Sequence, residues 1–211
     1  MAEARRPQGR KRSDAPLADR APVLTLPEAE AKAVVTAYTA AGVILEYGSG
    51  GSTALAAEMD DTTIFSVESD NAWLQGLADY FVENPPRARV VLHHADVGPT
   101  GPWGVPTDPA ASDRFWRYPL EVWDRTDFLH PDLVLVDGRF RAACFLATLY
   151  RISRPVTLLW DDYADRPAYH EVERLVRPAA FHGRMAEFHL EPAMIATADL
   201  AWIIQQFTRK H

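Results

Sequence analysis

The stretch Val43-Ile44-Leu45-Glu46-Tyr47-Gly48-Ser49-Gly50-Gly51-Ser52-Thr53 decides the fold. Its first three residues are a short apolar run bounded by Gly42 and Gly48, the pattern of a strand buried on both faces. The glycines that follow let the backbone turn tightly and let a ligand approach it, while Ser52 and Thr53 suit a helix start. A helix beginning there leaves N–H groups free above the turn. Just upstream, Ala33, Val34, Tyr38 and Ala41 share one face of a predicted helix that opens at Pro27 and Glu28 and ends at Gly42.

The same cycle repeats along the chain. Residues 52–59 and 73–82 read as helices, the second stopped by Asn84-Pro85-Pro86, with strands at 63–67 and 89–93. Further on come strands at 133–136 and 156–160, and helices at 140–152 and 169–176. Two strand-like runs, 184–190 and 200–207, close the chain as an expected antiparallel hairpin at a sheet edge. This alternation predicts an α/β fold with a mostly parallel sheet covered by helices on both faces. Residues 98–131 break the rhythm. They hold six of the sixteen prolines together with Trp103, Phe115, Trp116, Tyr118 and Trp123, and read as a lid or substrate-facing insertion.

The 211 residues fit one domain, taken as 24–211, after a basic tail at 1–23 that is expected to be disordered. The net charge of −7 disfavours a surface that tracks nucleic acid. No window of eighteen apolar residues and no secretory h-region is present, so neither a membrane partner nor export is expected. Cys144 is the single cysteine, which excludes an internal disulfide and fits a cytoplasmic protein.

One acid stands at the end of each predicted parallel strand: Glu46, Glu68, Asp96, Asp137 and Asp161. Open parallel sheets bind ligands along that edge. Glu68 follows Gly48 by twenty residues, the spacing of an acid that accepts hydrogen bonds from two ribose hydroxyls. A dinucleotide fits the edge less well. At about 8 Å and an effective dielectric near 20, Glu46 opposes each pyrophosphate charge by roughly 2 kcal/mol. Thr53 also stands where the third glycine of a dinucleotide fingerprint belongs. A cationic adenosyl ligand without phosphate, S-adenosylmethionine, suits the edge better.

From about Leu24 onward the chain resembles class I S-adenosylmethionine-dependent methyltransferases. It is most similar to small bacterial methyltransferase-like proteins that share residues 44–53, the run Val134-Leu135-Val136-Asp137-Gly138-Arg139-Phe140-Arg141, and Asp161-Asp162-Tyr163. The resemblance implies a Rossmann-like seven-stranded sheet whose last strand is antiparallel. It places Glu46 and the turn Gly48-Ser49-Gly50, continued by Ser52 and Thr53, at the methionine part of the cofactor. Glu68 with Ser69 would hold the ribose, Asp96 with Val97 the adenine, and Asp137 would close the pocket. A more distant resemblance, to metal-dependent catechol-type O-methyltransferases, implies Mg²⁺ on Asp137, Asp161 and Asp162, with Asp137 and Asp161 as catalytic carboxylates. In that comparison Asp162 replaces an amide, and the catalytic lysine has no equivalent.

The expected activity is methyl transfer to a hydroxyl of a small or carbohydrate-like acceptor seated under the insertion. A non-catalytic sensor or partner module and a dinucleotide-dependent oxidoreductase stay open as alternatives. A serine hydrolase built on Ser52 with His170 or His182 is set aside, because a nucleophile elbow follows several strands. His93 and His94, adjacent in a strand, point to opposite faces and cannot chelate together. Arg139 and Arg141 are expected to be exposed helix-start arginines in surface ion pairs.

Overall fold

A computed structural model describes residues 22–209. The predicted tail lies outside them but for Pro22 and Val23. Seven strands form one sheet in the order β3-β2-β1-β4-β5-β7-β6. They are β1 (Val43–Tyr47), β2 (Thr63–Glu68), β3 (Arg89–His94), β4 (Leu133–Val136), β5 (Val156–Trp160), β6 (Ala180–His182) and β7 (Met185–Leu190). β7 runs antiparallel to both β5 and β6, so one strand opposes six parallel ones.

Alternation along β1 assigns the two layers. Ile44 and Glu46 face α1 (Glu28–Ala40) and α2 (Gly51–Ala57), where Ile44 packs with Val34, Tyr38, Ala56, Ile64 and Leu135. Leu45 and Tyr47 face the other layer, which includes α5 (Arg141–Arg151) and the insertion. Helix α3 (Asn71–Glu83) starts at Asp70, whose carboxylate accepts from the Trp73 N–H at 3.1 Å. The same device joins β1 to β4: Asp132 accepts from Gly42 N–H at 3.1 Å and Val43 N–H at 2.9 Å.

Two expectations at the C-terminal end are corrected. Residues 200–207 are not a strand but α6 (Leu200–Thr208), packed on α5. Leu200, Ile203, Ile204 and Phe207 recur at helical spacing, and Ile203 is buried while Leu200 and Ile204 are exposed. The hairpin partner of β7 is β6 instead, joined through Gly183 at φ +61°. The predicted helix at 169–176 is a 3₁₀ segment, Pro167–Arg174. Among the described residues no helix is long and apolar enough to cross a membrane.

Trp160, at the end of β5, is fully buried and packs on Phe145, Tyr163, Tyr169 and Phe188 with ring centroids 5.0–6.2 Å apart. Among the described residues its indole N–H has no partner. Trp160→Ala is expected to lower unfolding free energy by about 3–5 kcal/mol, whereas Trp160→Phe, which removes the orphaned donor, costs about 1 kcal/mol. Denaturant titration of both variants checks the difference.

Candidate functional site

The site is the C-terminal edge of the parallel strands, at the switch point where the chain leaves β1 for β2 on one side and β4 lies on the other. Gly48 enters the turn at φ +110°, and a Cβ on it would fall 2.7 Å from the Gly138 nitrogen. Only glycine lets the β1 and β4 loops touch there. Gly50 faces open space, with nothing within 4 Å of a Cβ built on it, so the turn leaves room for a ligand at that residue.

Glu46 lies beneath the turn and is fully buried. Its carboxylate accepts from the hydroxyls of Ser52, Thr53, Ser66 (2.7 Å) and Tyr38 (3.3 Å). Thr53 Oγ1 also accepts from the Gly50 N–H at 2.8 Å, and Ser49 Oγ lies within hydrogen-bond distance of Ser66 Oγ at 2.8 Å. One carboxylate therefore ties the turn to α1, α2 and β2. Burial pushes its pKa up to about 7, against the pull of the Ser52, Thr53 and Ser66 hydroxyls. The expected repulsion of a pyrophosphate assumed full ionisation at an open edge. With Glu46 buried and its pKa raised to about 7, the carboxylate is only partly ionised at neutral pH and that repulsion is weakened, while Thr53 still occupies the third-glycine position.

Glu68 ends β2, and its Oε1 accepts from the N–H groups of Ser69 at 2.7 Å and Asp70 at 3.0 Å. The insertion covers it. A small hairpin, closed by the Thr100–Pro106 bridge and by Thr107 N–H donating to Pro99 O at 2.9 Å, brings Gly104 (φ +67°) onto Glu68 and Ser69. Ser69 Oγ donates to Gly104 O at 2.9 Å. Asp96 lies just beyond β3, where its carboxylate accepts from the Gly98 N–H at 3.0 Å and meets Arg114 of the insertion at 3.2 Å. Those contacts, led by the Gly98 hydrogen bond, hold its pKa below the ordinary carboxylate value. Val97 beside it is fully buried.

The rest of the insertion packs into the core by way of Phe115, Tyr118, Val122 and Trp123. Tyr47 OH donates to Pro119 O at 2.7 Å and accepts from Trp123 Nε1 at 2.8 Å. Tyr118 in α4 (Arg117–Leu120) presses its hydroxyl on Gly138. Trp103 and Trp116 stay partly exposed.

At the ends of β4 and β5 the structure brings Asp137, Asp161 and Asp162 together, as the sequence pattern anticipated, but it brings arginines with them. Arg141 is buried and donates to Gly138 O at 3.0 Å, Asp161 O at 2.5 Å, and both Asp137 O (3.1 Å) and Oδ1 (3.2 Å). Arg184, from the β6–β7 turn, takes both oxygens of Asp161 at 3.1 and 2.8 Å and one of Asp162 at 3.0 Å. Arg166 takes the other Asp162 oxygen at 2.7 Å. These carboxylates already hold their cations. Among the described residues no group of three or more His, Cys, Asp or Glu side chains is placed to hold a metal ion, so the Mg²⁺ arrangement implied by the distant resemblance does not fit.

Sequence reasoning missed Arg141 as a buried staple. Its spacing of four from Asp137 on a helix start was the available signal. Arg184, contributed from a distant turn, carried none. Nor did the strain: Trp103, Phe140 and Asp162 take positive φ values of 66°, 52° and 58°, all in loops at this edge.

No protein-family model and no curated protein matches the chain. The strand order and the glycine turn after β1 define a Rossmann-like methyltransferase fold. Among solved structures, a methyltransferase-like protein from Silicibacter pomeroyi is 48% identical, with a TM-score of 0.85 over 89% of this chain and 98% of its own. The chain belongs to that family of methyltransferase-like proteins. A methyltransferase from Geobacter sulfurreducens, 12% identical, shares the fold with a TM-score of 0.50 over 81% of this chain and 82% of its own.

The Glu46 cage has a pH signature. The folded protein holds this proton more tightly than an unfolded chain, whose carboxyl titrates near 4.5. The resulting stabilisation is complete below pH 4.5, is lost as pH rises to about 7, and amounts to about 3 kcal/mol. Glu46→Gln lacks this decline. Unfolding free energies of both proteins from pH 4.5 to 7.5 are expected to shift against each other by about that amount. A constant difference would mean that Glu46 titrates normally.

Proposed function

We propose that the protein binds S-adenosylmethionine across the C-terminal edge of the sheet and transfers its methyl group to a hydroxyl of a small or carbohydrate-like acceptor. The observation that carries this reading is Glu68. Its carboxylate, fixed by two backbone N–H groups at the end of β2, stands where a ribose can donate two hydrogen bonds. The open space at Gly50 and membership of a methyltransferase-like family support the same ligand. On this reading the turn Gly48-Ser49-Gly50, with Ser52 and Thr53 behind it, lies against the methionine part, and Asp96 and Val97 border the adenine. Glu46 shapes the turn from beneath. Because Gly104 rests on Glu68 and Ser69, ligand entry requires the 99–107 hairpin to lift.

Bound there, S-adenosylmethionine supplies a methyl group on a cationic sulfur, already activated for transfer. The chain's own task is to position the acceptor, exclude water and take up a proton. Asp137 is suited to the last. Burial pushes its carboxyl up to about 6, Arg141 pulls it back, and Asp161 and Asp162 push it further. Among the described residues Arg141 takes its Oδ1, and Oδ2 is offered to an acceptor hydroxyl. Asp161 has both oxygens bound to Arg184 and acts as a positioning residue for the loop.

Thermal unfolding with S-adenosylmethionine, S-adenosylhomocysteine, NAD and NADP tests the ligand. The adenosyl pair, at about 100 times its Kd, is expected to contribute about 2.7 kcal/mol, and the dinucleotides nothing. The reverse pattern would point to an oxidoreductase, and binding without turnover on a panel of hydroxyl acceptors would point to a sensor module. With an acceptor in hand, Asp137→Asn is expected to lower kcat by about 10²–10⁴. The wild-type rate should rise with pH through about 6, because the base acts in its deprotonated form.

A further inference from the structure

Among the described residues, Arg139 is a cation that this edge leaves without an ion pair. Asp137, Asp161 and Asp162 are matched by Arg141, Arg184 and Arg166, and Asp96 by Arg114. Arg139 sits among them in the loop between β4 and α5. Among the described residues it makes no ion pair, and its Nε is buried with no hydrogen-bond partner. Leaving a charged donor unsatisfied costs its desolvation with no hydrogen bond in return, whereas a shorter polar side chain in this loop would cost nothing of the kind.

Its surroundings belong to the site. Gly138, its neighbour, lies against Gly48 of the glycine turn and under the Tyr118 hydroxyl. The Arg139 N–H donates to that hydroxyl at 3.4 Å. Burial, and then the Glu68 carboxylate, raise the Tyr118 phenol's pKa, while the Arg139 charge opposes them, so both charges act on one tyrosine of the insertion. Next in the chain, Phe140 turns left-handed at φ 52° and provides no side-chain cap for α5. The start of this eleven-residue helix therefore adds its own positive potential to the same loop. Gly138 against the glycine turn, the start of α5 and a guanidinium without an ion pair among the described residues thus follow one another in a single loop of the site edge.

We propose that Arg139 binds a carboxylate or phosphate oxygen of the small molecule held at this edge. The identity of that molecule rests on the methyl-transfer reading; the preference for an anion does not. The anionic group belongs either to the methionine carboxylate of the adenosyl ligand or to the methyl acceptor, and one experiment separates the two.

Calorimetric titration of wild type, Arg139→Gln and Arg139→Lys uses three probes. S-adenosylhomocysteine carries the carboxylate, 5′-methylthioadenosine lacks it, and inorganic phosphate is added to protein saturated with methylthioadenosine or, if that does not bind, to protein alone. If the methionine carboxylate is the ligand, R139Q weakens S-adenosylhomocysteine at least tenfold and leaves methylthioadenosine unchanged, with R139K in between. If the acceptor supplies the anion, R139Q binds both adenosyl compounds as wild type does but loses the phosphate binding that wild type shows. Equal binding of every probe by R139Q and wild type overturns the proposal. So does a wild type that binds neither phosphate nor S-adenosylhomocysteine. Failure of both adenosyl compounds with phosphate binding that depends on Arg139 sinks the methyl-transfer reading alone. The unfolding midpoint of R139Q is expected to match or exceed wild type, since an unpaired charge is removed. A midpoint lowered by several degrees in both variants would mark a structural role and overturn the assignment.

Discussion

A carboxylate with no access to water sets the terms for the whole edge. Glu46 cannot remain in the interior of the sheet without donors, and the chain supplies four hydroxyls, from α1, α2 and β2. Satisfying it draws Ser52 and Thr53 down onto β1, which fixes where α2 begins. Thr53 in turn holds the Gly50 N–H, so the exposed part of the turn inherits its shape from the buried acid. Removing any one hydroxyl leaves the others to hold a group that is already costly to keep charged.

Above that foundation the edge is built in alternating charge. The β4 and β5 loops carry three aspartates, and three arginines from a helix start, a hairpin turn and a 3₁₀ approach meet them. Such a lattice fixes loop positions, because Arg141 ties the β4 loop to the β5 loop and Arg184 ties the β5 loop to the β6–β7 turn. The insertion closes the opposite end: Phe115, Tyr118 and Trp123 are part of the core, while the 99–107 hairpin rests on Glu68 and Ser69, and Arg114 on Asp96. The covering of the site thus divides into a fixed part, anchored by Tyr47, Tyr118 and Trp123, and a small part whose contacts are a few hydrogen bonds.

The parallel strands were legible because Val43–Leu45 and Leu133–Val136 are apolar on both faces and flanked by turn residues. The carboxylates at their ends were legible for the same reason, since a strand's end fixes its next residue in space. Residues 200–207 misled because tryptophan, isoleucine and phenylalanine favour strands, and the period of Leu200, Ile203, Ile204 and Phe207 is short enough to be overlooked. The β6 strand, three residues long, is too brief to register as a pattern. What Asp161 binds was not legible at all. Asp161 looks identical in sequence whether its partner is a metal, a substrate or Arg184, because that partner arrives from twenty-three residues away through a hairpin.

The most direct measurement is a crystal structure of the protein with S-adenosylhomocysteine at saturation. The account predicts the ribose hydroxyls within hydrogen-bonding distance of Glu68, the adenosine beside Asp96, and the 99–107 hairpin displaced from Ser69. A nucleoside bound elsewhere, or an edge still closed by Gly104 with the ligand absent from it, would contradict the account.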